Sequence, residues 1–220
     1  VCFLFHYLDH IRARRHNMKD IINKLLTNKV DSNEKVILEL GCGNHKKVNN
    51  SIGIDAIDYP NVDICGDVFE VLKLIPDSTV DEVHSFHFIE HISDISGLIE
   101  ELARVVKRNG IVGFTAPHFS NPYYYSDPTH KTFFGLYTFC YYSDCSLFSR
   151  RVPTYNVDIK FNLEKVSLNF KTDRSFFIRA GVKYIIGKLF NFSSYTKELY
   201  EDTLCYIFPC YEIHAILKRK

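Results

Sequence analysis

The chain has 220 residues, 46% hydrophobic and 24% charged, with a formal net charge of +1. This is material for one globular domain with a real core, and the near-neutral balance argues against nucleic acid as the main partner, because neutralising phosphates favours a basic excess. No apolar run approaches the roughly 18 residues of a membrane span, and seven cysteines without a C-x-x-C pair read as buried thiols of a reducing, cytoplasmic compartment.

Val1-Cys2-Phe3-Leu4-Phe5 is apolar but shorter than the core of a signal peptide, and no positive segment precedes it, so secretion is not expected. Residues 1–17, with the basic cluster Arg12, Arg14, Arg15 and His16, are expected to pack loosely or to be incidental to the fold. The alternative is a helix that covers a ligand. Ile21, Ile22, Leu25 and Leu26 recur at helical spacing and predict a helix leading into the first strand.

Strands are predicted over 36–40 and 52–55. Val36-Ile37-Leu38-Glu39-Leu40 runs into Gly41-Cys42-Gly43-Asn44, and Ile52-Gly53-Ile54 ends in Asp55. The two loop glycines let the backbone turn sharply and meet a ligand without a Cβ between, while carboxylates at strand ends take hydroxyls or an ammonium. That suits a nucleoside-bearing cofactor. Lys46 stands where a dinucleotide fingerprint needs its third glycine, and no phosphate-cradling G-x-x-x-x-G-K-[ST] string occurs near this strand. A cofactor with a ribose and an amino-acid tail, but no phosphate, remains.

Further strands are predicted near 62–64, 82–86 and 111–115. The strongest helix is 94–107, where Ile95, Leu98, Ile99, Leu102, Val105 and Val106 form one apolar stripe, Ser93 or Asp94 caps the start and Asn109-Gly110 ends it. Alternating strands and helices imply a parallel sheet with right-handed crossovers. Later, 156–170 alternates like a strand or hairpin, and 211–217 reads as a last strand.

Glu39-Leu40-Gly41-Cys42-Gly43 and Gly53-Ile54-Asp55 resemble the first two motifs of Rossmann-like S-adenosylmethionine-dependent methyltransferases. Further resemblances follow in order: Gly66-Asp67-Val68, Ser78-Thr79-Val80-Asp81-Glu82-Val83, Phe88-Ile89-Glu90-His91-Ile92, and the run from Ile99 to Gly110, where Arg108-Asn109 stands in place of the usual Pro-Gly. The resemblance covers 34–118. It implies an α/β, Rossmann-like three-layer sandwich with a mostly parallel seven-stranded sheet and a final antiparallel strand. Only Asn44 to Ser51 separate the glycine loop from the second strand, room for about two helical turns at best. The short loop resembles a subgroup of small bacterial methyltransferases associated with surface polysaccharides. One domain over 1–220 is expected, with a helical extension at 1–33, a cofactor core at 34–118, and a substrate-side insertion and C-terminal strands at 119–220.

The resemblance also implies residue roles. Glu39 and Gly41, Cys42 and Gly43 would border the methionine tail of S-adenosylmethionine, Asp55 would bind the ribose hydroxyls and Ala56 would lie against adenine. Asp67 would accept from the adenine amino group, Val68 would donate its N–H to a ring nitrogen, and Phe86 and His87 would line the reactive centre. S-adenosylhomocysteine would be the product. Asp55 and Asp67 also fit solvated turn acids.

A hydroxyl acceptor gains from losing its proton during attack, and histidine has the intrinsic pKa for that work. His91 and His118 follow predicted strands at the carboxyl edge of the sheet, and His130 lies in the turn-rich segment Ser126-Asp127-Pro128-Thr129-His130-Lys131. Each is a candidate base, and each also fits a hydrogen-bonded structural histidine. His84, His87 and His91 have the spacing of metal ligands on a helix, but the segment reads as strand through Phe86, so no metal site is expected there. Glu90 either orients a bound group or caps the next helix.

Pro122-Tyr123-Tyr124-Tyr125 and Phe133-Phe134-Gly135-Leu136-Tyr137 flank the His130 turn, as stacking platforms for a sugar or base or as core. Over 176–192, Ile178, Val182, Ile185, Ile186 and Leu189 alternate with Arg179, Lys183 and Lys188. Docking over the sheet or in a homodimer interface is favoured there over peripheral membrane contact. The expected activity is methyl transfer to a small-molecule or sugar-containing acceptor, at oxygen, in surface-polysaccharide metabolism. The alternatives are a small-molecule or lipid-quinone methyltransferase and a binder of the cofactor without turnover.

Overall fold

The computed structural model describes residues 2–153, 155, 158–172 and 176–220, with side chains described from residue 17 onward. Strands β1 (Ile37–Leu40), β2 (Ile52–Asp55), β3 (Ile64–Cys65), β4 (Val80–Phe86) and β5 (Val106–Pro117) pair in parallel. Strand β7 (Glu212–Arg219) lies antiparallel between β5 and β6 (Phe161–Asn169). The order β3-β2-β1-β4-β5-β7-β6 is the expected Rossmann-like, mostly parallel seven-stranded sheet. It reverses direction between β1 and β4, and beyond the carboxyl ends of strands at such a switch point open α/β sheets bind their ligands.

The central strands bury Leu38, Leu40, Ile52, Ile54, Val83 and Val112, and β1 and β2 bury the intervening Glu39 and Gly53 as well. Helix α1 (Cys2–Asp31) is one continuous helix that buries Ile22 and Leu26, and its Met18 packs against Gly66. How the side chains of residues 1–16 pack lies outside the described residues. Helix α2 (Val68–Leu72) is capped by Asp67, and α3 (Ile95–Val105) by Asp94, whose carboxylate accepts from Gly97 N–H at 2.8 Å. Six residues of α3 are buried, and each large apolar one contributes about 1.5–3 kcal/mol.

Four features differ most from the sequence reading. First, α3 ends at Val105, because Val106 pairs with Val80 in the sheet; β-branched residues suit the strand, and sheet pairing overrides helical periodicity. Asn109 adopts φ 64° there, and a Cβ on Gly110 would lie 2.8 Å from the Asp81 carbonyl. Second, residues 44–51 form turns and bends only, without a helical turn. Third, β3 falls at 64–65 rather than 62–64.

Fourth, α4 (Phe177–Phe190) packs against the core through Ile186 and Phe190 and leaves much of its apolar face uncovered. Phe190 is its one buried residue; it packs on Phe170 and on Tyr200, which opens the π-helical turn after α5 (Ser194–Leu199). Ile178, Val182, Ile185 and Leu189 are all at least half exposed. Among the described residues no helix is long and apolar enough to cross a membrane. Cys42, Cys140, Cys205 and Cys210 are buried thiols as expected, whereas Cys65 is exposed.

Candidate functional site

The glycine loop turns through two left-handed residues, Gly41 at φ 63° and Gly43 at φ 58°. A Cβ on Gly41 would meet the Phe88 ring at 2.4 Å, while no atom lies within 4 Å of one on Gly43. One glycine thus permits close packing beneath the loop and the other leaves open space beside it. Asp55 is bonded to the backbone of Gly43. Its Oδ2 accepts from Gly43 N–H at 2.8 Å and its Oδ1 from Ile57 N–H at 2.9 Å, which fixes the carboxylate at the end of β2 with lone pairs to spare. Ala56, next to it, is exposed.

Glu39 is buried and turned inward. Its carboxylate accepts from Lys47 N–H at 2.8 Å, Val48 N–H at 2.9 Å and Ser51 Oγ at 3.2 Å, so it organises the short loop that replaces a helix. Lys46, at the third-glycine position, is bound to Asp63 at 2.7 Å and so is engaged within the fold. Burial, then Asp55 and Glu39, pushes the Cys42 thiol up to about 11, so it stays protonated and inert at neutral pH. Asp67 uses one oxygen, Oδ1, to accept from Phe69 and Glu70 N–H. Val68 is the first residue of α2, where a backbone N–H has no intrahelical partner.

A second group of polar side chains gathers at the carboxyl edges of β4 and β5. Phe86 ends β4 with the Lys47 ammonium 5.0 Å from its ring centre. His87 follows at φ 55°, donates its backbone N–H to Thr115 O at 2.8 Å, and turns its Nε2 to Glu212 at 2.9 Å. Glu212 and then Glu90 raise this imidazole to about 9 despite its burial, so it is held as a cation. Glu212 is fully buried: it also meets His214 at 3.0 Å, Asn169 at 2.7 Å and Lys171 at 2.5 Å. Burial opposes its ionisation, but the bonds from His214, His87 and Lys171 win and hold its carboxyl far below the usual range.

The three candidate bases separate. His118 is fully buried, with Nδ1 at 2.8 Å from Ser120 Oγ and Nε2 at 3.1 Å from Glu201. Both of its nitrogens are thus engaged within the fold. His91 and His130 instead come together, their ring centres 4.9 Å apart. His84, by contrast, faces Glu82 at 3.2 Å, so His84, His87 and His91 point to different partners. Glu90 is buried and caps no helix, since Asp94 caps α3; its carbonyl accepts from Lys131 and Thr132 N–H and holds the His130 loop against β4.

A family of methyltransferase domains matches residues 8–140. The chain belongs to this family. The fold of this methyltransferase is shared by a SAM-dependent methyltransferase from Archaeoglobus fulgidus, at 18% identity over 91% of this chain and 94% of that one, with a TM-score of 0.52. An S-adenosylmethionine-dependent methyltransferase from Mesorhizobium loti aligns at 13% identity over 84% of this chain and 90% of that one, with a TM-score of 0.51. No curated protein matches the chain.

Sequence reasoning missed Glu212, His214, Asn169 and Lys171 of the methyltransferase. A signal existed for two of them: in Tyr211-Glu212-Ile213-His214, the period of two puts the acid and the imidazole on one face of β7. Nothing local marks Asn169 and Lys171, because strand pairing alone carries the end of β6 to Glu212.

Proposed function

We propose that the chain transfers a methyl group from S-adenosylmethionine to an oxygen of a small, sugar-containing acceptor, with 34–118 holding the cofactor and 119–220 the acceptor. The observation that carries the reading is the open space beside Gly43 flanked by the fixed carboxylate of Asp55, at the reversal point of the sheet. Asp55 would hold the ribose hydroxyls, the unused oxygen of Asp67 the adenine amino group, and the N–H of Val68 a ring nitrogen. Glu39 supports the loop around the amino-acid tail from beneath. The cofactor supplies a methyl group that is electrophilic as it stands, so the chain's task is alignment and exclusion of water.

His87, a cation between Glu212 and Glu90, orients the edge rather than taking a proton. The Nε2 atoms of His91 and His130 are the groups through which the chain acts on the acceptor hydroxyl. A sugar acceptor is supported by the exposed rings of Tyr123 and Tyr125 and by a cavity of about 560 Å³ lined by Tyr123, Tyr211, Lys171, Arg179 and Lys183. A lipid-quinone acceptor would need α4 to enclose apolar space, and Ile178, Val182, Ile185 and Leu189 are exposed instead. That uncovered face supports an attachment surface, either a second copy of the chain or a membrane. Surface-polysaccharide metabolism in the cytoplasm is the setting that fits such an acceptor.

Calorimetric titration with S-adenosylmethionine and S-adenosylhomocysteine tests the shared claim. Binding of either is expected; binding of neither sinks it. A screen of acceptors with radiolabelled cofactor then separates the enzyme from a binder without turnover.

A further inference from the structure

Glu90, His91 and His130 each bring a ligand atom within 4.8 Å of the others. The hydrogen bonds around them show which ring nitrogens are already engaged. Thr129 Oγ1 donates to Asp127 Oδ1 at 2.6 Å, so toward His91 Nδ1, 2.9 Å away, it acts as acceptor. His91 therefore carries its proton on Nδ1. His130 Nδ1 lies 2.9 Å from the Tyr124 carbonyl, which can only accept, so His130 too is protonated on Nδ1. In the neutral form of each ring the lone pair then lies on Nε2; Asp127 Oδ2, 3.6 Å from that of His130, is beyond hydrogen-bond distance.

The third donor points the same way. Glu90 is 1% exposed, and among the described residues its Oε2 has no hydrogen-bond partner. A buried polar atom left so costs about 1–3 kcal/mol, and more when charged. A carboxylate oxygen without a partner and two imidazoles, each donating its far N–H to an oxygen, is the donor set and supporting shell of a divalent metal ion.

We propose that Glu90, His91 and His130 bind one divalent cation of the zinc or manganese type, with the remaining coordination positions open. Bonds of about 2.0–2.2 Å require the donors to draw together by roughly 1 Å or more. The site sits just past β4, at the edge where the sheet reverses. Its use on the acceptor rests on the methyl-transfer reading: the cation takes the acceptor oxygen at an open position and lowers the pKa of its hydroxyl, whose proton leaves to water.

The test uses the full chain, stripped with a chelator and titrated calorimetrically with Zn²⁺ alone, in the absence of S-adenosylmethionine. One equivalent should bind and raise the melting temperature. His130→Ala and Glu90→Gln should weaken binding about a hundredfold and abolish the thermal shift, and Thr129→Val, which removes the acceptor that fixes His91, should cost about 10–100-fold. Cys65→Ser and His45→Ala, both exposed and outside the cluster, should change neither. Circular dichroism confirms that each variant is folded; should His130→Ala not fold, Glu90→Gln and Thr129→Val decide. No Zn²⁺ binding by the parent chain, or binding unaltered in the folded cluster variants, overturns the proposal. Because no cofactor is present, its failure is distinct from failure to bind S-adenosylmethionine.

Discussion

The two halves of the sheet edge use buried or fixed acids in opposite ways. Around the glycine loop, each acid is held by backbone N–H groups close in sequence: Glu39 by Lys47 and Val48, Asp55 by Gly43 and Ile57, Asp67 by Phe69 and Glu70. Across β5 the acids are held by side chains brought from far away. Glu212 meets His87, 125 residues earlier, and Glu201 meets His118, 83 residues earlier. The first half is a rigid cradle written into short motifs, whose backbone donors survive most side-chain changes. The second is a network of side-chain hydrogen bonds and ion pairs, where removing one member strands the others.

The sharpest way to break that comparison is Glu212→Gln. Taking the charge from a buried ion cluster should lower unfolding free energy by about 3–5 kcal/mol, read from urea denaturation. The same acid sets the response to pH. Its folded pKa is depressed, so its contribution is full above the unfolded value of about 4.3 and is lost as pH falls below it. Asp81, held by Val36 N–H and Lys107 at 2.7 Å, is depressed too and adds a smaller loss with the same sign. Denaturation midpoints from pH 6 to 3 should fall for the parent chain and fall less steeply for Glu212→Gln; parallel curves would remove Glu212 from the account.

Next in size is Asp55→Ala. Two hydrogen bonds to a charged acceptor are worth about 3 kcal/mol together, so affinity for S-adenosylmethionine should drop roughly a hundredfold in calorimetry. Undiminished affinity would remove Asp55 from the ribose. Gly41→Ala should cost about 1–2 kcal/mol of stability, since it combines a left-handed φ with a clash against Phe88. Smallest is Ile185→Ser on the uncovered face of α4: because Ile185 is 66% exposed, the change should stay within about 0.5 kcal/mol in the monomer. A larger loss that depends on protein concentration would show that the face is an interface between copies.

The cradle is legible in the amino-acid sequence. Glu39, the two glycines, Asp55 and Asp67 announce themselves by type and spacing, since turns, caps and strand ends depend on residues a few positions apart. The apolar stripe of α3 and its Asp94 cap are legible for the same reason. What misleads is also local: Val105-Val106 fit a helical period, and only pairing with Val80 turns Val106 into a strand. The period of α4 marks an apolar face correctly but not what covers it.

Composition, periodicity and short motifs thus determined the strand-helix alternation, the switch-point loop and the acids that line it, because each is a matter of backbone geometry within about a dozen residues. The tertiary structure alone decided which histidines meet. It buried His118 against Glu201, made His87 a cation between two acids, and folded the 127–132 turn back onto Glu90 so that His91 and His130 face one another. Those outcomes depend on burial and on charges distant in sequence, and no local pattern encodes either.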